Sequence, residues 1–168
     1  MKTTKKKKIV NKLSPAKQAK NAIRWIDSLK VSEGFQKTTG KLGGKNDPNM
    51  TMAQVNKDPK NNMSYCCLGV ACRVMGHNNI DFGMGFYGKL TKELGLHTEE
   101  GAFLSDDGLD SKPIKIGGEI YYGIAKVNDV AFRHDNNFVG IRKVILGNLG
   151  LMFVPEVAKL LKTHYKRK

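Results

Sequence analysis

The sequence predicts an α+β fold in a single compact domain, with a small antiparallel sheet packed against helices. The chain has 168 residues, of which 40% are hydrophobic, and this is enough for one domain with its own core. Apolar residues recur at three- and four-residue steps near both ends, which is typical of amphipathic helices. Between them, alternating apolar residues flank Gly117-Gly118, a pattern typical of a tight β-hairpin.

The first predicted element is a helix that begins at Ser14-Pro15 and runs for about fifteen residues. Serine is a preferred N-cap, and proline is tolerated in the first turn because its missing N–H needs no partner there. The apolar stripe that follows includes Trp25, which we expect in the core. Gly34 ends this segment. Residues 35–63 are rich in Gly, Asn and Lys, and they are predicted to form a long loop.

The later elements follow from caps and periodicity in the same way. Ser64 is placed to cap a buried helix that ends at Gly76. The remaining predictions are a helix over 86–94 before Gly95, a strand over 102–104, a hairpin over 114–122, and helices after Asn128-Asp129 that carry Phe138, Ile141, Val144, Ile145, Leu149, Val157, Leu160 and Leu161.

Positive charge is concentrated at the two ends of the chain. The formal net charge is +14, but the first 20 residues carry eight lysines and no acid, and the last ten carry five cations and no acid. We therefore expect a basic arm over 1–13, a domain over 14–161 and a basic tail over 162–168. Such ends are either solvated tails or a means of attracting nucleic acid, since lysines release counterions from polyanions.

Several classes of protein are disfavoured by composition. No apolar run is long enough for a membrane helix or a signal peptide, so we expect a cytoplasmic protein that does not enter membranes. Cys66, Cys67 and Cys72 are odd in number and clustered, which does not suit a disulfide scaffold. Zinc sites need a second pair of ligands, and the histidines are scattered singly. We expect neither a metal nor a cofactor.

Two kinds of chemistry remain open from the residues alone. The segment from Phe35 to Leu42 offers amide, hydroxyl and ammonium groups beside glycines, which suits phosphate or ribose, although it also fits a flexible connector. Asn128-Asp129 suits either recognition of hydroxyl or amide edges or a helix-capping turn. Alternatively, Cys66 or Cys67 lies at a helix N-terminus, where the dipole stabilises a thiolate, and this would suit a cysteine-dependent enzyme.

The order of motifs resembles a widespread family of small bacteriophage proteins. The residues that carry the resemblance are Trp25-Ile26, Gly34-Phe35-Gln36, Tyr65-Cys66-Cys67-Leu68-Gly69-Val70 with Cys72, Gly95-Leu96, Gly101 with Phe103, and Val127-Asn128-Asp129. They span residues 22–150, roughly, and the Cys-Cys-Leu-Gly-Val run is the most specific part. The chain departs from the pattern at Ala71, in the insert over 43–62 and in its lysine-rich ends.

A phage origin implies a class of function, namely proteins that bind and sequester cyclic nucleotides or ADP-ribose derivatives of bacterial immune systems such as CBASS and Thoeris. We expect a homo-oligomer, a dimer or tetramer, that holds a cyclic di- or trinucleotide in the host cytoplasm without cleaving it. Phe35 or Tyr65 would stack on a base, and Lys37, Lys41 and Arg133 would neutralise phosphate. The other expected ligand-binding residues are Gln36, Thr38, Thr39, Cys66, Asn128 and Asp129. The alternatives are a basic nucleic-acid-binding phage protein and the cysteine-dependent enzyme.

Overall fold

The structure of the chain is a computed structural model. It describes residues 13–38, 43–77, 86–98, 101–105 and 108–167. In this part of the chain, helices pack around a three-stranded and a two-stranded sheet. The predicted α+β class is therefore confirmed. The predicted basic arm over 1–13 lies outside the described residues except for Leu13.

Helix α1 (Pro15–Ser28) begins where the sequence predicts. The hydroxyl of Ser14 accepts a hydrogen bond from the backbone N–H of Lys17 at 3.4 Å, which makes Ser14 the N-cap. Trp25 is completely buried, and its indole Nε1 donates to the carbonyl of Cys67 at 2.7 Å. A short 3₁₀ turn (Val31–Glu33) follows, and Gly34 ends it in the left-handed conformation at φ 69°. The predicted core position of Trp25 is confirmed.

The long loop predicted over 35–63 is wrong. This part of the chain contains, in order, β1 (Gln36–Lys37), β2 (Gly43–Lys45), α2 (Met52–Lys57), α3 (Pro59–Asn62) and the first residue of β3 (Met63–Tyr65). Thr51 and Gln54 form a capping box at the start of α2, in which each side chain accepts from the other residue's backbone N–H. Such a Thr-x-x-Gln spacing is a helix-start signal that composition alone obscures.

The buried helix predicted from Ser64 to Gly76 begins later than expected. Ser64 lies in β3, and α4 runs over Cys67–Val74 with Cys66 as its N-cap. The sulfur of Cys66 accepts a hydrogen bond from the backbone N–H of Gly69 at 3.4 Å. Ser64 belongs to β3 because its backbone pairs with neighbouring strands. The N-cap of α4 is therefore a later residue whose side chain can accept a hydrogen bond.

The middle of the chain follows the predicted pattern more closely. Helix α5 (Phe86–Leu94) ends at Gly95, which adopts a φ of 69°. Strands β4 (Ile114–Ile116) and β5 (Glu119–Tyr121) form the predicted hairpin around Gly117-Gly118, both at positive φ. The strand predicted over 102–104 is reduced to isolated bridges, from Ala102 to Gly123 and from Leu104 to Ser111.

The last part of the described chain is helical. It comprises α6 (Ile124–Lys126), a π-helical turn (Val127–Ala131), α7 (Val139–Gly147), α8 (Leu149–Met152) and α9 (Pro155–Lys166). The helices predicted beyond Asn128-Asp129 are present. The basic tail predicted over 162–168 is helical as far as Lys166. The π-helical turn was not anticipated, and the backbone N–H of Phe132 closes it by donating to the carbonyl of Val127 at 3.2 Å.

The three-stranded sheet is mixed, in contrast to the antiparallel sheet that the sequence predicts. Strand β3 is central, pairing with β1 in parallel and with β2 in antiparallel orientation. The β4–β5 hairpin is antiparallel as expected. Parallel pairing of β1 and β3 requires the connection between them to cross over, and β2, α2 and α3 occupy that connection.

The core lies between α1, α4, α5 and α9. Helix α1 packs against each of the other three. The largest completely buried side chains are Trp25, Tyr65, Phe103, Phe153, Ile26, Leu29, Leu68, Leu90, Leu94, Ile124, Ile141 and Ile145. Among the described residues, no helix is both long and apolar enough to cross a bilayer.

Two glycines of α7 provide a matched test of this packing. A Cβ at Gly140 would lie 2.2 Å from the ring of Phe132, whereas a Cβ at Gly147 would meet no atom within 4 Å. We expect Gly147→Ala to stabilise the fold by up to about 1 kcal/mol, because alanine favours a helix. Gly140→Ala should destabilise it by about 1–3 kcal/mol through overpacking. Urea unfolding measures both changes, and equal effects at the two positions would contradict the packing of Phe132 on α7.

Candidate functional site

Three segments that are distant in the sequence meet beside the first turn of α4. Parallel pairing of β1 with β3 places Lys37 opposite Tyr65. The backbone N–H of Thr38 continues this ladder by donating to the carbonyl of Tyr65 at 2.8 Å. The π-helical turn reaches the same place through Asn128. Three segments that carry expected ligand-binding residues are therefore adjacent in the fold.

The side chain of Asn128 joins these segments and is completely buried. Its Oδ1 accepts a hydrogen bond from the backbone N–H of Cys67 at 3.2 Å. Its Nδ2 donates to the carbonyl of Thr38 at 3.1 Å and to the carboxylate of Asp129 at 2.8 Å. We call Thr38, Cys67, Asn128 and Asp129 the Asn128 junction. Since both amide hydrogens are in use, Asn128 has no donor left for a ligand.

The geometry of Asn128 therefore corrects its expected role in ligand binding. Cys67 is the first residue of α4, and its N–H is one of the groups that have no partner within the helix. Asn128 supplies that partner from a distant part of the chain. Of the two interpretations left open for Asn128-Asp129, helix capping is the one that fits Asn128.

The ammonium group of Lys37 lies half-buried beside the junction. It donates to the carbonyl of Phe132 at 2.5 Å and so links β1 to the end of the π-helical turn. Burial lowers the pKa of Lys37, because the charged form loses solvation, while the carboxylates of Asp135 and Asp129 act in the opposite direction. The pKa of Lys37 is lowered overall, so the attraction of these acids does not compensate for the lost hydration of the ammonium group. An added anion would favour the charged ammonium.

Arg133 is exposed at the edge of the Asn128 junction, one residue after Phe132. We call this exposed edge the rim. The Nε of Arg133 donates to the carbonyl of Asp129 at 3.2 Å, which orients the guanidinium group. Within the described residues, the two terminal nitrogens of Arg133 have no hydrogen-bond or ion-pair partner. These nitrogens are the forked donors that bind phosphate and carboxylate in a bidentate manner.

The expected stacking role of Tyr65 is not compatible with its position. Its ring is completely buried, and its hydroxyl donates to the carbonyl of Pro59 at 3.3 Å. Phe35 is half-buried, with its ring meeting that of Tyr65 edge to face at a centroid distance of 5.6 Å. The ammonium of Lys60 lies 5.2 Å from the centre of the Phe35 ring. A base could approach only the remaining exposed part of Phe35.

The other expected site residues have mixed surroundings. The exposed Gln36 uses its amide within the protein, because its Nε2 donates to the carbonyl of Asn61 and its Oε1 accepts from Asn46. Thr38 is half-buried and contributes backbone groups to the junction. Thr39 and Lys41 lie outside the described residues. The residues that bring polar groups to the rim are therefore Lys37, Asp129 and Arg133.

The cysteines are buried, and their protonation disfavours nucleophilic chemistry. Burial raises the pKa of Cys66 to about 11 and that of Cys72 to about 12, and it raises the pKa of Cys67 as well. The hydrogen bond from Gly69 to Cys66 lowers its pKa but does not outweigh desolvation. Neutral, enclosed thiols suit packing at the start of α4.

Two features of this site could not be found from the sequence. The first is Phe132, which contributes its backbone carbonyl to Lys37 rather than a side chain. The second is Asp135, whose charge acts on Lys37 across a long sequence separation. Neither carries a motif. A cation that lies four residues after an acid, as Arg133 does after Asp129, is the one local signal that the site offers.

Comparisons of the chain with protein-family models, with curated proteins and with solved structures find no match. Nor does the described part of the chain contain three His, Cys, Asp or Glu side chains grouped so as to hold a metal ion.

Replacing Asn128 by alanine tests the importance of the junction. Asn128→Ala removes three hydrogen bonds and leaves the N–H of Cys67 and the carbonyl of Thr38 without a partner. We expect it to lower the free energy of unfolding by about 2–4 kcal/mol, as measured in urea. The control is Asn56→Ala, which removes an exposed contact with Arg73 and should change stability by less than about 0.5 kcal/mol. If Asn128→Ala lowers the free energy of unfolding no more than the control does, the junction is dispensable for stability.

Thiol labelling tests the interpretation of the cysteines. At about pH 8, a thiol with a pKa of about 11 has a thiolate fraction roughly a hundredfold smaller than an ordinary cysteine. We expect native protein to react with iodoacetamide at least about a hundredfold more slowly than urea-unfolded protein, and the rate to rise as pH approaches the pKa. Mass spectrometry counts the labels. Rapid native labelling of Cys66 alone would revive the enzyme hypothesis.

Proposed function

We propose that this protein is a bacteriophage anti-defence protein that binds a cyclic di- or trinucleotide immune signal and sequesters it without cleavage. The observation that carries the proposal is the placement of two cations around one turn. Lys37 is held by the carbonyl of Phe132, and Arg133 is oriented by the carbonyl of Asp129 with its terminal nitrogens available. Both cations are fixed before a ligand arrives, which lowers the entropic cost of binding.

The polar groups at this rim complement a nucleotide. Arg133 offers a bidentate contact to phosphate, and Lys37 offers an ammonium that an anion would help to keep charged. Asp129 is half-buried, and one of its oxygens already accepts from Asn128. The remaining lone pairs of Asp129 suit a ribose hydroxyl, which donates a hydrogen bond. A phosphate alone would be repelled by Asp129, so the arrangement favours a ligand that carries both groups.

Sequestration rather than cleavage is supported by the state of the thiols. Cys66 and Cys67 are the thiols at the start of α4, and burial keeps both of them neutral. A neutral, enclosed thiol is a poor nucleophile. The proposal therefore assigns them to packing.

Oligomerisation completes the proposal. Arg133 and Gln36 are exposed on one copy of the chain, so that a nucleotide bound there would remain open to solvent on one side. A second copy that covers this rim would slow the release of the ligand, which is what sequestration requires. We therefore propose a dimer or tetramer, in the host cytoplasm, as the binding form.

Thermal unfolding in the presence of cyclic di- and trinucleotides and ADP-ribose derivatives tests the proposal. A ligand at 100 times its dissociation constant adds about 2.7 kcal/mol. For a chain of this size, we expect the melting temperature to rise by about 5–10 °C. After heating, mass spectrometry should recover the ligand intact. A cleaved product would contradict sequestration, and the absence of any shift across the panel would contradict nucleotide binding.

A matched pair of arginine variants locates the site. Arg133→Gln removes the forked donor at the rim, and we expect it to weaken binding about 10- to 100-fold, as measured by titration calorimetry. Arg167→Gln makes the same chemical change just beyond α9 and should leave the affinity unchanged. If both variants bind with wild-type affinity, the ligand binds somewhere other than at the Asn128 junction.

A further inference from the structure

A second cationic feature lies along α9, away from the Asn128 junction. Lys159, Lys162 and Lys166 are exposed and line one open pocket of about 360 Å³. Its other walls include Gly150, Pro155 and Ala158, none of which carries a charge. We call the three lysines the α9 stripe. The stripe therefore presents three positive charges on one side of a rigid helix.

The fold makes no internal use of the α9 stripe. Within the described residues, none of its ammonium groups has a hydrogen bond or an acid within 4 Å, whereas Lys30, Lys60 and Arg142 form ion pairs. The sequence of α9 contains one acid, Glu156, in its first turn. Near the C-terminal end of the helix, Lys166 also complements the helix dipole, but an isolated cation would suffice for that.

The stripe is long enough to contact more than one phosphate of a nucleic-acid backbone. Residues three and seven positions apart on one helix are separated by about 4.5 and 10.5 Å along its axis. Phosphates on one strand of a duplex are about 3.4 Å apart in projection on the duplex axis and farther apart along the strand itself. A stripe of about 10.5 Å, with flexible lysine side chains, can therefore reach two or three phosphates.

We propose that the α9 stripe binds the phosphate backbone of duplex nucleic acid without sequence preference. The chemistry of α9 favours backbone contact over base recognition. Apart from His164, the one aromatic residue of α9 is Tyr165. The hydroxyl of Tyr165 donates to the carboxylate of Asp27 at 3.3 Å. Tyr165 is not free to stack on unpaired bases, which single-strand binding needs. This activity is separate from nucleotide sequestration, because it uses different residues in a different part of the fold.

Fluorescence anisotropy with a mixed-sequence DNA duplex of about two helical turns tests the proposal, with titrations between about 50 and 200 mM salt. The test variant is Lys159→Gln/Lys162→Gln/Lys166→Gln in the full chain. The control is Lys112→Gln/Lys115→Gln/Lys126→Gln, which removes the same charge from exposed lysines that have no partner among the described residues. Circular dichroism and thermal unfolding establish that both variants fold.

The two triple variants should behave differently. Removing three phosphate contacts should make the slope of log affinity against log salt shallower by about 2.7 and weaken binding at least about tenfold at the lower salt concentration. The control should keep most of the wild-type affinity and slope. Equal losses in the two variants would show that only net charge matters, and would overturn the proposal. So would tighter binding of the single strand than of the duplex, or no duplex binding by the wild type.

Discussion

One buried amide, Asn128, sets the relative positions of three segments that the sequence keeps far apart. Its oxygen caps the first turn of α4, and its nitrogen holds both the end of β1 and the neighbouring Asp129. A buried amide is stable only when its donors and acceptors are paired, because an unpaired polar group in the core is costly. This requirement makes the junction a constraint on the whole region. Lys37 and Arg133 occupy their positions because Asn128 holds the π-helical turn against the end of β1.

The elements that could be predicted from the sequence carry their own local signals. Helix α1 has a serine cap and a proline in its first turn, and the β4–β5 hairpin has two glycines at positive φ. The strands β1, β2 and β3 are two or three residues long and have no room for an alternating pattern. They exist because they pair with one another, and pairing partners cannot be read from a local window. This is why the region over 35–63 is interpreted from its sequence as a loop.

The candidate site likewise has residues that can be predicted from the sequence and local environments that cannot. Lys37, Asp129 and Arg133 belong to segments that the sequence analysis selected, because polar residues beside glycines or predicted turns can be recognised from the sequence. What the sequence does not reveal is the environment of each group. Tyr65 is selected as an aromatic that could stack on a base, whereas its ring is completely buried and packs edge to face against Phe35. Similarly, the helix N-terminus suggests a reactive Cys66, whereas desolvation, a property of the assembled core, keeps it neutral.

The π-helical turn has a consequence for how this part of the chain tolerates change. The turn holds one more residue than an α-helical turn would, and its closing hydrogen bond runs from Phe132 to Val127. Within the turn, Asn128 is buried and Val130 is exposed, and Arg133 lies at the surface just beyond it. Deleting a single residue within this helical segment would rotate the helical residues after the deletion by about 100° relative to those before it. The length of this turn is therefore more tightly constrained than the identity of its outward-facing side chains.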